Sequence, residues 1–284
     1  MLATGLVSAD WLADRLRDPS LRVVDASWYL PTTGRDARAE YLAGHLPGAV
    51  FFDIDAISDR GSPLPHMLPP PGQFAEHVAA LGIGDGDDVV VYDGSGANLS
   101  AARVWWMFRA FGHERVAVLD GGLPKWRAEG RPLEVGEVTR PSARFSPRPI
   151  WADVVRDLAS MRDSVGQGSA QIVDMRSAGR FAGTEPEPRA GLRGGHIPGS
   201  HNLPYAELVG ADGTVLAPDA LRRRIADAGV DPERPVIATC GSGVSACALI
   251  HALHLLGSRQ VALYDGAWAE WGGRDDTPVE RGRA

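Results

Sequence analysis

Val89-Val90-Val91-Tyr92-Asp93-Gly94-Ser95-Gly96 returns 147 residues later as Val236-Ile237-Ala238-Thr239-Cys240-Gly241-Ser242-Gly243. In each copy a short run without a charged residue enters a glycine-rich turn, the pattern of a strand buried on both faces. The repeat extends outward. Val23-Val24-Asp25 matches Ile172-Val173-Asp174, and His45-Leu46-Pro47-Gly48-Ala49 matches His196-Ile197-Pro198-Gly199-Ser200. Downstream, Val118-Leu119-Asp120-Gly121-Gly122 matches Leu263-Tyr264-Asp265-Gly266-Ala267, and Trp126 matches Trp271. The offsets are 151, 149, 147 and 145 residues for the four segments taken in the order His45, Val23, Val89 and Val118. One whole domain has been duplicated, which a short solenoid period would not resemble. The length of 284 residues agrees with two domains, at roughly 150 residues each.

Within each copy strands alternate with helices. Residues 21–24, 89–92 and 116–119 read as buried strands of a parallel sheet. Residues 100–111 carry Ala101, Val104, Trp105, Phe108 and Phe111 at helical spacing and stop at Gly112. The second copy repeats this with a strand at 236–239, a helix at 245–256 closed by Gly257, and a strand at 261–264. The pattern predicts an α/β fold of tandem duplicated domains, each an open, mostly parallel sheet flanked by helices. Residues 131–148, with Pro132, Pro141 and Pro147, read as an extended linker. The expected division is a first domain at 1–140, a linker at 141–149 and a second domain at 150–284.

Composition removes several function classes. Hydrophobic residues at 44% and charged residues at 23% are those of a globular protein, not a disordered or fibrous one. A net charge of −7 argues against nucleic-acid binding, which needs a clustered positive face. The run Arg222-Arg223-Arg224 reads as a solvated helix face. No apolar stretch is long enough to span a bilayer, and Met1-Leu2-Ala3-Thr4-Gly5-Leu6 has no secretory pattern. Two cysteines, Cys240 and Cys247, cannot make a disulfide framework or a four-thiolate metal site. The expected compartment is the cytoplasm, with Cys240 a free thiol. His251 and His254 lie three residues apart without a third ligand, so no metal is expected, and no cofactor signature stands out. Trp105, Trp106, Trp268 and Trp271 read as packing residues.

The difference between the copies carries the chemistry. Asp93 stands in the first loop where Cys240 stands in the second. In a parallel α/β sheet, ligands bind beyond the carboxyl ends of the strands, and Cys240 falls at such an end, ahead of a helix. Glycines let successive N–H groups turn inward as an anion nest, and the helix start favours thiolate. The reading is a nucleophilic sulfur cradled by the amides of Gly241, Ser242, Gly243, Val244 and Ser245. Cys247, inside the helix, reads as buried and inert.

Cys240-Gly241-Ser242-Gly243-Val244-Ser245, the His-x-Pro-Gly elements at His45 and His196, and the Asp-Gly-x-x-x-x-Trp elements resemble those of the two-domain rhodaneses. Within that superfamily the loop is most similar to the 3-mercaptopyruvate sulfurtransferase branch. The resemblance covers nearly the whole chain. It implies a ping-pong cycle in which a donor passes sulfane sulfur to Cys240 as a persulfide. An acceptor such as thioredoxin, glutathione or cyanide then removes it. The first copy, with Asp93, is implied to be non-catalytic. Arg180 and Arg189, in Gly179-Arg180-Phe181-Ala182-Gly183-Thr184-Glu185-Pro186-Glu187-Pro188-Arg189, fall where the family places two substrate-binding arginines. A guanidinium suits a carboxylate beside a ketone. The resemblance also implies a relay of Ser242, His66 and Asp55 beside Cys240, which could protonate the pyruvate enolate. His45 and His196 are read as structural, and so is Arg176.

Three rivals remain distinct. A thiosulfate:cyanide sulfurtransferase usually has a loop resembling Cys-Arg-Lys-Gly-Val, with cations for a dianionic donor, where this chain has Gly241 and Ser242. A phosphatase of related fold would close a Cys-x5-Arg loop, but Ala246 stands in the arginine's place. A non-enzymatic binding module usually lacks the cysteine, which describes the first copy and not the second.

Overall fold

The computed structural model describes residue 2 and residues 4–282; Met1 and Ala3 of the N-terminal reading lie outside the described residues. The chain gathers into two compact units. The first takes the chain up to Arg60, Leu68–Ile150 and Gly210–Val215, and the second takes Gly61–Met67, Trp151–Val209 and the chain from Leu216 on. Each unit therefore includes a short segment from the other half of the sequence.

The first unit holds β1 (Leu6–Val7), β2 (Leu21–Asp25), β3 (Val50–Phe51), β4 (Asp88–Tyr92) and β5 (Val116–Leu119), in the order β1-β5-β4-β2-β3. The second holds β6 (Val155–Arg156), β7 (Gln171–Asp174), β8 (His201–Asn202), β9 (Val236–Thr239) and β10 (Val261–Tyr264), in the matching order β6-β10-β9-β7-β8. Every pairing is parallel, with Val23 beside Val90 in one sheet and Ile172 beside Ile237 in the other. Strands β4 and β9 are buried along nearly their whole length, which is why their sequences lack polar alternation.

The helices Leu99–Ala110 and Ala246–Leu255 pack on β4 and β5, and on β9 and β10, respectively. Trp105 and Trp106 are buried on the first of them. Trp268 and Trp271 lie in the second core with Met161, Ile172, Ile197, Ile237 and Tyr264. Trp126 anchors the first core with Val23, Leu46, Val90 and Leu119. The two matched indoles also do the same polar work: Trp126 Nε1 donates to Pro132 O at 2.8 Å, and Trp271 Nε1 donates to Pro278 O at 2.7 Å.

The two His-x-Pro-Gly elements are buried latches. His45 and His196 place Nδ1 at 2.8 Å from Tyr41 O and 2.9 Å from Phe181 O, each ring stacked on the aromatic ring of that residue. Their backbones bridge Glu134 and Glu280, whose carboxylates lie 3.9 and 3.7 Å from Nε2. The segment 131–148 is extended, without helix or strand, as its prolines predict. It is not loose: Glu134 joins the His45 latch, Ala143 N donates to Ala79 O at 2.9 Å, and Arg148 N donates to Phe111 O at 2.8 Å.

Candidate functional site

Strand order places the site. Going from β7 to β8 the chain moves toward one edge, and β9 then returns to the other side of β7. The reversal lies between the carboxyl ends of β7 and β9, where an open parallel sheet presents ligands. Asp174 ends β7, and Cys240 follows β9 directly.

Cys240 is buried, and three contacts hold the carbonyls of its loop. Trp268 N donates to Cys240 O at 2.9 Å, Ala269 N to Gly241 O at 2.9 Å, and the Cys247 thiol to Gly243 O at 3.3 Å. In a trans peptide the C=O and the following N–H point in opposite directions. The amides of Gly241, Ser242 and Val244 are therefore turned away from those donors. Gly243 allows the turn with φ of +78°, in the region where a β-carbon is strained. Val244 and Ser245 then lead into the helix Ala246–Leu255. Cys247 is fully buried within that helix.

The matching loop of the first unit shows what this turn does with a negative charge. Leu123 N clamps Asp93 O at 2.9 Å as Trp268 N clamps Cys240 O. The Asp93 carboxylate then accepts from Ser95 N at 2.8 Å, the Ser95 hydroxyl at 2.6 Å, Ala101 N at 2.9 Å and the Ser100 hydroxyl at 3.2 Å. The same turn in the second unit carries a sulfur in place of that carboxylate.

The segment Gly61–Met67 brings His66 into the second unit, with Nδ1 2.9 Å from the Ser242 hydroxyl oxygen. His66 is buried and holds a left-handed backbone at φ of +60°, a conformation that non-glycine residues adopt only under surrounding constraint. Asp55 lies in the first unit on the short helix Ile54–Ile57, where it accepts from Trp28 Nε1 at 3.0 Å.

Arg180 follows β7 on the helix Ala178–Ala182. Its Nη2 lies 2.8 Å from the point that a β-carbon on Gly241 would occupy, so the guanidinium covers the residue next to Cys240. Glu187 accepts from Arg180 Nη2 at 2.6 Å and Nε at 3.2 Å, and from Arg176 Nη1 at 2.6 Å. Arg176 is enclosed, its charge met also by Asp174. Arg189 borders a hollow of about 410 Å³ with Glu185, Glu187, Leu192 and Arg281, and residues 240–245 are not among its walls.

Glu187 is the site residue that sequence reasoning passed over. Its signal was its place between Arg180 and Arg189, since an acid there is a ready partner for either. Glu134 and Glu280 were also missed, although each stands second after the proline whose carbonyl meets the matched tryptophan. Among the described residues, no three His, Cys, Asp or Glu side chains group as metal ligands would, and no helix is long and apolar enough to cross a membrane.

A family model described as a rhodanese-like domain matches residues 8–129 and again 157–274. The human 3-mercaptopyruvate sulfurtransferase is 46% identical over 95% of this chain and 92% of its own. The Arabidopsis thaliana thiosulfate/3-mercaptopyruvate sulfurtransferase 1, a mitochondrial protein, is 43% identical over 97% of this chain and 78% of its own. The crystal structure of a 3-mercaptopyruvate sulfotransferase from Escherichia coli superposes with a TM-score of 0.85 at 42% identity, over 93% of this chain and 99% of that one.

Proposed function

This chain belongs to the rhodanese-like domain family, as two copies in tandem, and on that footing we propose that it is a sulfurtransferase acting on 3-mercaptopyruvate through a persulfide on Cys240. The observation that carries the reading is the Cys240 loop itself: Arg180 lies over Gly241, and His66 is hydrogen-bonded to Ser242. The relatives named for 3-mercaptopyruvate support the choice of donor.

In the donor half-reaction the Cys240 sulfur attacks the sulfur of mercaptopyruvate. The carbon–sulfur bond breaks, its electron pair passes into the ketone as an enolate, and protonation at carbon releases pyruvate. Ser242 and His66 are the proton path to that carbon, with Asp55 the proposed carboxylate of the relay on the family resemblance. Arg180 and Arg189 are the proposed partners of the donor's carboxylate and ketone oxygens. The amides of Gly241, Ser242, Gly243, Val244 and Ser245 are the proposed cradle of the persulfide's outer sulfur; in the first loop the amide matching Ser242, Ser95 N, donates to the Asp93 carboxylate. In the second half-reaction an acceptor thiolate, on thioredoxin or glutathione, or cyanide attacks that outer sulfur and regenerates the Cys240 thiolate. The proposed compartment is the cytoplasm, and the proposed domain division is 1–140, 141–149 and 150–284.

Thiosulfate is the second donor to consider, because the name of the Arabidopsis relative carries both. The test is kcat/KM for mercaptopyruvate and for thiosulfate with the same acceptor, using Cys240→Ser as the blank. A mercaptopyruvate preference of about tenfold or more supports the reading. A thiosulfate preference keeps the persulfide but overturns the donor, and turnover by Cys240→Ser overturns the mechanism.

A further inference from the structure

A line of four alternating charges runs through the second unit. Asp174, at the end of β7, grips Arg176 through Nε and Nη2 at 2.6 to 3.1 Å. Arg176 also donates to Gly195 O at 2.7 Å and lies 4.3 Å over the ring of Trp268, the residue whose amide clamps Cys240 O. Its remaining amine reaches one oxygen of Glu187, and the other oxygen of Glu187 takes Arg180. The side chains of Asp174, Arg176 and Glu187 are at most 2% exposed, while that of Arg180 is 17% exposed. The line starts in the sheet and ends over Gly241.

We propose that Glu187 is a positioning residue for the sulfur donor: anchored through Arg176 to Asp174, it fixes the Arg180 guanidinium above Gly241 in a single orientation. The proposal rests on the sulfurtransferase reading given above. Glu187 takes Nε and one N–H of Nη2 of Arg180, which leaves Nη1 and the second N–H of Nη2, the end of the fork, for a donor's carboxylate. Arginine bound on two nitrogens cannot rotate about its last bonds, so the ordering cost is met before the donor arrives.

Net stability is a weak reason for keeping such a line. Buried ion pairs lose much of their attraction to desolvation, and well-packed apolar residues often serve as well. The first unit supplies the comparison within the same molecule. Asp25 matches Asp174 there, but Ser27 stands where Arg176 stands. Asp25 accepts from Ser27 N at 2.9 Å, and burial pushes its carboxyl pKa upward. The first sheet has the same strand order, but the aspartate at the end of its matching strand meets Ser27 rather than an arginine. Its loop glycine, Gly94, is also approached by an arginine, Arg35, whose Nη1 donates to Gly94 O at 3.2 Å. That arginine is paired with Glu40, and both side chains are about one-third exposed or more, where an ion pair holds geometry weakly. The buried anchor occurs in the unit that carries Cys240.

The experiment compares wild type, Glu187→Gln, Arg180→Gln and the double variant. Glu187→Gln keeps the side chain's shape and removes the charge that serves both arginines. Glu187→Asp keeps the charge for Arg176 but is too short to hold Arg180 as well, so it answers the question if the glutamine variant does not fold. In both Glu187 variants KM for mercaptopyruvate rises about tenfold, while sulfur discharge from pre-loaded enzyme to a thiol acceptor stays within about twofold. In the Arg180→Gln background, Glu187→Gln adds no further rise in KM. An equal rise with and without Arg180, or parallel losses in both half-reactions, overturns the proposal. Pyruvate binding by calorimetry separates the two readings. Wild type that binds pyruvate without turning over mercaptopyruvate overturns the functional reading alone. Pyruvate affinity unchanged in both Glu187 variants overturns the positioning role alone.

Discussion

The Nδ1 of His66 lies 2.9 Å from the hydroxyl oxygen of Ser242, although 176 residues separate them in the chain. Two constraints hold the pair. His66 sits in a segment that packs with the second unit, and its backbone is fixed in the left-handed region. Ser242 lies in a loop whose carbonyls on either side, those of Gly241 and Gly243, are taken by Ala269 N and the Cys247 thiol. A histidine and a hydroxyl brought together this way can pass a proton to a group beside Cys240.

That role separates the two donors. Mercaptopyruvate leaves an enolate that must be protonated, and thiosulfate does not. His66→Gln lowers kcat with mercaptopyruvate about 10²-fold and leaves turnover with thiosulfate far less affected. Steady-state kinetics with both donors on one preparation checks this. Equal losses would assign His66 a packing role.

Gly241 has no room for a side chain while Arg180 keeps its place. A β-carbon there would lie 2.8 Å from Arg180 Nη2, and Glu187 stops the guanidinium from stepping aside. Gly241→Ala therefore raises KM for mercaptopyruvate by about five- to tenfold, with an unchanged melting temperature. An unaltered KM would mean that Arg180 is not held over the loop when donor is bound.

Asp93 fills the first loop with its own carboxylate, so its removal leaves buried and half-buried donors without their acceptor. Asp93→Ala orphans the amides of Ser95 and Ala101 and the hydroxyls of Ser95 and Ser100. The expected loss is about 2–3 kcal/mol, read as a lower urea midpoint. Asp93→Asn retains an acceptor oxygen and loses less. Two variants of equal, wild-type stability would show that the carboxylate does not hold the loop.

His113 makes the first unit sensitive to mild acid. It is buried beside Phe108 and Phe145, with ring centroids 5.6 Å away, and burial pushes its pKa down from 6.5. Between the lowered folded value and 6.5 the unfolded chain binds a proton that the folded chain does not. This contribution to stability is complete above 6.5 and is lost as pH falls toward the folded value. Melting temperatures from neutral to mildly acid pH should fall less steeply in His113→Phe. Parallel slopes in the two proteins would contradict the assignment.

Much of the architecture was legible because duplication offers its own control. Matched runs such as Val89–Tyr92 and Val236–Thr239 in the sequence became the central strands β4 and β9, since a run without polar alternation has to be covered on both faces. Helix ends shifted by one residue, from 100–111 to Leu99–Ala110 and from 245–256 to Ala246–Leu255. The prolines of segment 131–148 announce an irregular backbone, but not its docking, which depends on backbone partners such as Ala79 and Phe111 that no local pattern announces.

By itself the sequence determined the duplication, the two parallel sheets and the asymmetry between Asp93 and Cys240, because these follow from spacing and local composition. Only the tertiary structure decided that His66 meets Ser242, that Glu187 is shared between Arg176 and Arg180, and that Glu134 and Glu280 face His45 and His196. Each of those pairings joins residues at different distances along the chain. Burial selects the first two, because a charge or ring nitrogen removed from water needs a polar partner wherever the fold can bring one; backbone bridging selects the last, and sequence order does not record which partner any of these groups will meet.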